Sequence, residues 1–126
     1  MKFAQRVFLI AGIYGLLCLG PMYFLENYVG REDPPAITHP EFFYGFLGAG
    51  VAWQVLFLFL SRDPARYRPI IIPAILEKAT FGIAALILLA QGRISPGPAV
   101  GGSIDLVFGA LFAYCYVQLG SDNHTA

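Results

Sequence analysis

Apolar residues in this chain do not alternate with polar ones; they run in four long blocks. Residues 7–25 and 42–60 are uncharged apolar runs, 70–90 is interrupted only by Glu77 and Lys78, and 100–119 carries only Asp105 near its start. A helix rising 1.5 Å per residue needs about 20 residues to cross a ~30 Å hydrocarbon core. Each block therefore fits one crossing, and the pattern predicts an all-α protein with helices over 7–25, 39–60, 70–90 and 101–119. The short loops between them leave no room for a second domain, so residues 1–126 read as a single transmembrane antiparallel four-helix bundle.

Local residues set the expected boundaries. Thr38-His39-Pro40-Glu41 has capping-box spacing, with proline in the tolerated first turn. Asp63-Pro64 repeats the cap-then-proline signal, and Pro64 to Arg68 is expected to form one interfacial turn that Pro69 ends. Ser95-Pro96-Gly97-Pro98 reads as a turn that cannot continue a helix, with Ser103 capping the fourth helix. The first block follows Lys2 and Arg6, as a signal peptide would. Pro21 just after the small residues Cys18 and Gly20 disfavours cleavage, so the segment reads as a membrane helix.

Composition agrees with the pattern. The chain is 57% hydrophobic and 13% charged, with mean hydropathy +0.64, whereas soluble domains carry about 25% charge. Eight basic residues balance eight acidic ones, which removes any electrostatic case for nucleic-acid binding. The distribution of charge is more telling than its sum. Lys2, Arg6, Arg62, Arg66 and Arg68 occupy the N-terminal tail and the middle loop, while Arg31 and Arg93 alone serve the other two loops. The positive-inside rule then places both termini and the middle loop in the cytoplasm. Tyr23, Phe24, Tyr28, Phe42, Phe43 and Tyr44 fall near the outer boundary and fit an aromatic belt.

Helices in lipid associate through small residues rather than hydrophobicity. Ala11/Gly15, Gly45/Ala49, Gly48/Ala52 and Gly109/Ala113 have the required spacing, and Ala74, Glu77, Thr80 and Ala84 form one stripe of the third helix. Ionisable groups inside the spans are the candidate chemistry, because a charge at mid-bilayer costs several kcal/mol. Straight helices put Glu77 about 10 Å inside the cytoplasmic boundary, level with Tyr14, Gln54 and Tyr114. That layer is either a hydrogen-bond network fixing helix register or a ligand or proton site. Lys78 is expected to snorkel to the headgroups or to pair with Glu77 or a carboxylate on another helix. Asp105, in the first turn of its helix near the outer boundary, is expected to favour the positive helix end. Arg62, Arg66 and Arg68 are positioned to meet phosphate headgroups.

Other chemistry is sparse. His39 and His124 fall on opposite sides of the membrane, and Cys18 and Cys115 read as separate buried thiols. No phosphate loop, nucleophile elbow or metal-ligand cluster is present, and neither a cofactor nor a metal is expected.

The segment Arg62-Asp63-Pro64-Ala65-Arg66-Tyr67-Arg68-Pro69, followed by Ala74-Ile75-Leu76-Glu77-Lys78, resembles a pattern in small bacterial membrane proteins of the DoxX-like kind. There a basic loop leads into a third helix bearing Glu-Lys. The resemblance implies a four-helix bundle of the bacterial inner membrane and no particular activity.

The expected function is a non-enzymatic integral membrane protein. It is either an accessory subunit meeting a membrane-protein partner or a second copy, or a module binding a lipid or lipophilic small molecule. The alternative is a small membrane enzyme, such as an isomerase of a lipophilic substrate, with Glu77 as general base. A transporter subunit is disfavoured, because the chain has no repeats and no charged pore stripe.

Overall fold

The computed structural model describes the backbone of residues 2–125 and the side chains of residues 2–121. All regular structure among them is helical. Helix α1 covers Lys2–Leu19, α2 Glu26–Glu32, α3 Pro40–Arg62, α4 Ile71–Ala90 and α5 Pro96–Thr125. With the short helical turns that flank them, α1, α3, α4 and α5 are each long and apolar enough to cross a membrane. The block pattern therefore reads the number and class of the long helices correctly.

The boundaries differ in instructive ways. α1 begins at Lys2 and its regular bonding stops at Leu19, because Pro21 lacks the N–H that would continue it. Pro21–Phe24 instead forms a tight helical turn. α2 is an extra helix that the polar first loop does not advertise. His39, not Thr38, precedes the first residue of α3, and no side chain caps that end. Glu41 pairs with His39 at 3.4 Å on the exposed surface, so the expected capping box does not form. Asp63 does cap its turn, its Oδ1 accepting from the Arg66 N–H at 3.2 Å. Pro69 lies within the turn Arg68–Ile70 that feeds α4.

The largest correction concerns α5. Pro96 and Pro98 do not exclude a helix; they occupy its first turn, where their missing N–H groups have no partner to lose. Ser103 then lies inside the helix, its hydroxyl donating to the Ala99 carbonyl at 2.9 Å. Asp105 is consequently more than two turns from the helix start and cannot be explained by the helix end.

α1 packs chiefly on α3 and α4 on α5, while α1 also meets α5 and α3 barely touches α4. Glycines set the two main crossings. A Cβ on Gly12 would come within 2.9 Å of the Gln54 carbonyl, and one on Gly50 within 2.7 Å of Leu19. A Cβ on Gly82 would lie 2.7 Å from the Gly102 carbonyl, and one on Gly109 3.4 Å from Lys78. Ala11 and Gly15 are buried as expected, but Gly45 faces open space and Ala49 and Ala52 are exposed. Small spacing alone does not say which face meets a neighbour.

The core is an aromatic stack where three helices converge: Phe8 on α1, Phe57 on α3 and Phe112 on α5. Phe8 and Phe112 have centroids 4.5 Å apart, Phe57 and Phe112 5.1 Å. Leu17, Phe24, Val107 and Val117 point outward, an apolar exterior that fits contact with a lipid bilayer.

Candidate functional site: a charged triad beside a central cavity

The buried residues of α4 are Ile71, Ala74, Lys78, Gly82 and Ala85, the i, i+3, i+4 progression of one helix face. This stripe shares Ala74 with the expected one and runs through Lys78, Gly82 and Ala85, with Glu77 at its edge on the cavity wall. Thr80 and Ala84 face outward, and the Thr80 hydroxyl donates to the Leu76 carbonyl of its own helix at 2.7 Å. The residue pointing inward is therefore Lys78, only 2% exposed, and it does not snorkel. A signal for this lay in the sequence: Ala74, Gly82 and Ala85 are the small residues that allow close approach, and Lys78 is in step with them.

Lys78 Nζ lies 3.4 Å from Asp105 Oδ1 on α5 and 3.7 Å from Glu77 Oε2. The rings of Phe57 and Phe108 flank the ammonium with centroids at 5.2 and 5.6 Å. A buried ammonium is tolerable only when paired and surrounded in this way. Asp105 joins the group because α5 starts early, which carries its third turn to the level of Lys78.

Gln54, 1% exposed, sits across the same space on α3. Its Nε2 donates to the Gly50 carbonyl at 2.9 Å, leaving Oε1 without a partner. Gly15 of α1 faces this amide, and any Cβ there would overlap it. Glu77 Oε2 likewise accepts no hydrogen bond, its distance to Lys78 being that of an ion pair only. Buried acceptors left unsatisfied are uncommon in folded proteins.

These groups border a cavity of about 400 Å³ lined by all four long helices. Tyr14 lines it as well, its ring tilted against Phe108 at 5.7 Å. Tyr14, Gln54, Glu77, Lys78 and Asp105 thus line one cavity. Tyr114 does not. Nine residues past Asp105, it lies on the opposite side of α5, half exposed, with its hydroxyl accepting from Gln118 Nε2 at 2.9 Å. Cys18 is exposed rather than buried, and Cys115 is buried.

The basic loop divides into two kinds of residue. Arg62 and Arg66 are exposed. Arg68 instead folds over α5, its guanidinium 3.9 Å from the Tyr116 ring centroid and its Nε donating to the Tyr116 carbonyl at 2.9 Å. Gln5 Nε2 on α1 donates to the Arg62 carbonyl at 3.3 Å. These contacts gather Lys2, Arg6, Arg62, Arg66 and Arg68 at one end of the molecule. His124 lies beyond the residues whose side chains are described. Among the described residues, no three His, Cys, Asp or Glu side chains assemble as a metal site.

Compared with protein-family models, curated proteins and solved structures, the chain matches none.

Proposed function

We propose that this chain is a non-enzymatic, multi-pass protein of a bacterial inner membrane that binds a lipophilic small molecule between its helices. The observation that carries this reading is the central cavity. It combines mostly apolar walls with a few converging polar groups, the usual composition of a small-molecule site. The contact order of the helices supports an antiparallel bundle: Gly12 neighbours Leu58 while Gly50 neighbours Leu19, and Gly82 and Gly109 neighbour Gly102 and Lys78. The basic end, with both termini and the 61–69 loop, then faces the cytoplasm. The loop motif supports a place among DoxX-like proteins, and exposed Arg62 and Arg66 are the residues to meet lipid phosphates. A role as accessory subunit is compatible with this binding reading.

The test is native mass spectrometry after mild detergent extraction. A Cβ on Gly101 would meet no atom within 4 Å, although Gly101 lines the cavity. Gly101→Phe should therefore fill the space without a clash at the backbone. A lipophilic adduct should accompany the wild type and be missing from Gly101→Phe. An adduct retained by the filled variant, or none in either, overturns the reading.

A second reading rests on Glu77. Its carboxylate stands at the cavity wall with one oxygen unbonded, where a general base would act on a bound substrate. Turnover of the co-purified molecule would favour that enzyme.

A further inference from the structure

The chemistry of the triad narrows what the central cavity accepts, given the reading that it is a ligand site. Lys78 is already committed. Its ammonium faces Asp105 Oδ1 and Glu77 Oε2, and two phenyl rings occupy its flanks. An anionic head would have to compete with both carboxylates for it. Acceptors, by contrast, are in excess. Gln54 Oε1 is unpartnered on a side chain that is almost wholly buried. Glu77 Oε2 likewise accepts no hydrogen bond, and Asp105 accepts one, from Lys78 at Oδ1. Two carboxylates stand against one ammonium, so a second cation would complete the pairing when both are ionised.

A second cavity shows where an apolar chain would go. A cleft of about 630 Å³ opens between α3 and α4, the helices that barely touch. It shares Phe46, Gly50, Glu77 and Phe81 with the central cavity. The rings of Phe46 and Phe81 stand 6.1 Å apart between the two spaces. Trp53, Leu76 and Ala49 line the outer part of the cleft. Glu77 thus stands where the central cavity meets the α3/α4 groove.

We propose that the site binds a lipophilic primary amine as its ammonium. The head enters between Glu77, Asp105 and Gln54, and the hydrocarbon tail lies in the α3/α4 cleft past Phe46 and Phe81. An ammonium supplies donors for the two unbonded acceptors and a counter-charge for the second carboxylate. A hydroxyl supplies one donor and no counter-charge; a carboxylate faces Glu77 and Asp105 beside the single Lys78 ammonium.

Trp53, the only tryptophan, reports on the tail. Full-length protein in phosphatidylcholine nanodiscs is titrated with long-chain amphiphiles brominated at the far end, which quench nearby tryptophan. The heads are primary ammonium, alcohol and carboxylate on one chain length. We expect saturable quenching by the alkylammonium, tighter than either competitor by about tenfold. Glu77→Gln keeps the Lys78–Asp105 pair, removes the second carboxylate and should lower alkylammonium affinity to that of the alcohol. Its melting temperature should stay near wild type. Equal or better binding of the alcohol or carboxylate overturns the amine assignment and leaves the ligand-site reading standing, as does undiminished ammonium binding by Glu77→Gln. Absence of saturable quenching by any head overturns both. Should Glu77→Gln fail to fold, the comparison of heads on the wild type decides alone.

Discussion

Lys78 and Asp105 join α4 to α5 through a buried ion pair, Nζ to Oδ1 at 3.4 Å, on residues whose side chains are 3% and 17% exposed. Neither belongs to a helix end. The pair therefore sits where a charge is most expensive, and its two halves must stand or fall together.

Breaking that pair from one side should destabilise the protein strongly. Lys78→Met leaves Asp105 and Glu77 facing each other without a cation, at a cost of about 3–5 kcal/mol. The triple variant with Met at 78, Asn at 105 and Gln at 77 should recover much of the loss. Thermal or steric-trap unfolding in detergent measures both. A single variant as stable as wild type would remove the triad from any structural role.

The α4/α5 crossing should be sensitive to single methyl groups. Gly82→Ala drives a Cβ to 2.7 Å from the Gly102 carbonyl, and backbone cannot move aside as a side chain can. We expect a loss of about 1–3 kcal/mol. Gly45→Ala, which meets nothing, should be neutral or slightly stabilising. Equal melting temperatures for the two variants would contradict the crossing geometry.

Arg68 should behave differently from its neighbours in the loop. It stacks on Tyr116 and donates to that residue's carbonyl, a combination lysine cannot reproduce. Arg68→Lys should lose about 1–2 kcal/mol, whereas Arg66→Lys should leave stability unchanged.

Orientation is open to a direct check. Reporter fusions after Arg68 and after Asp122 should read cytoplasmic and one after Pro35 external. A middle loop read outside would reverse the orientation drawn from its basic residues.

What the amino-acid sequence determined by itself is the class of the protein and its number of long helices. The reason is that the hydrocarbon core imposes a length and a composition on every crossing, and both are local properties of about 20 consecutive residues. The rotation of each helix was not legible in the same way. Both faces of a membrane helix are apolar, so the amphipathic contrast that orients a soluble helix is weak. A one-residue difference then decides that Lys78 stands at the centre of the buried face and Glu77 at its edge. Tertiary structure set that difference, through the close approach of Gly82 to Gly102. The early start of α5 at Pro96 likewise turned Asp105 from an end residue into the partner of Lys78. Tyr114 shows the same limit: its depth could be reckoned from the sequence, but its direction could not. Depth follows from counting residues along one helix, whereas direction depends on which neighbour that helix meets.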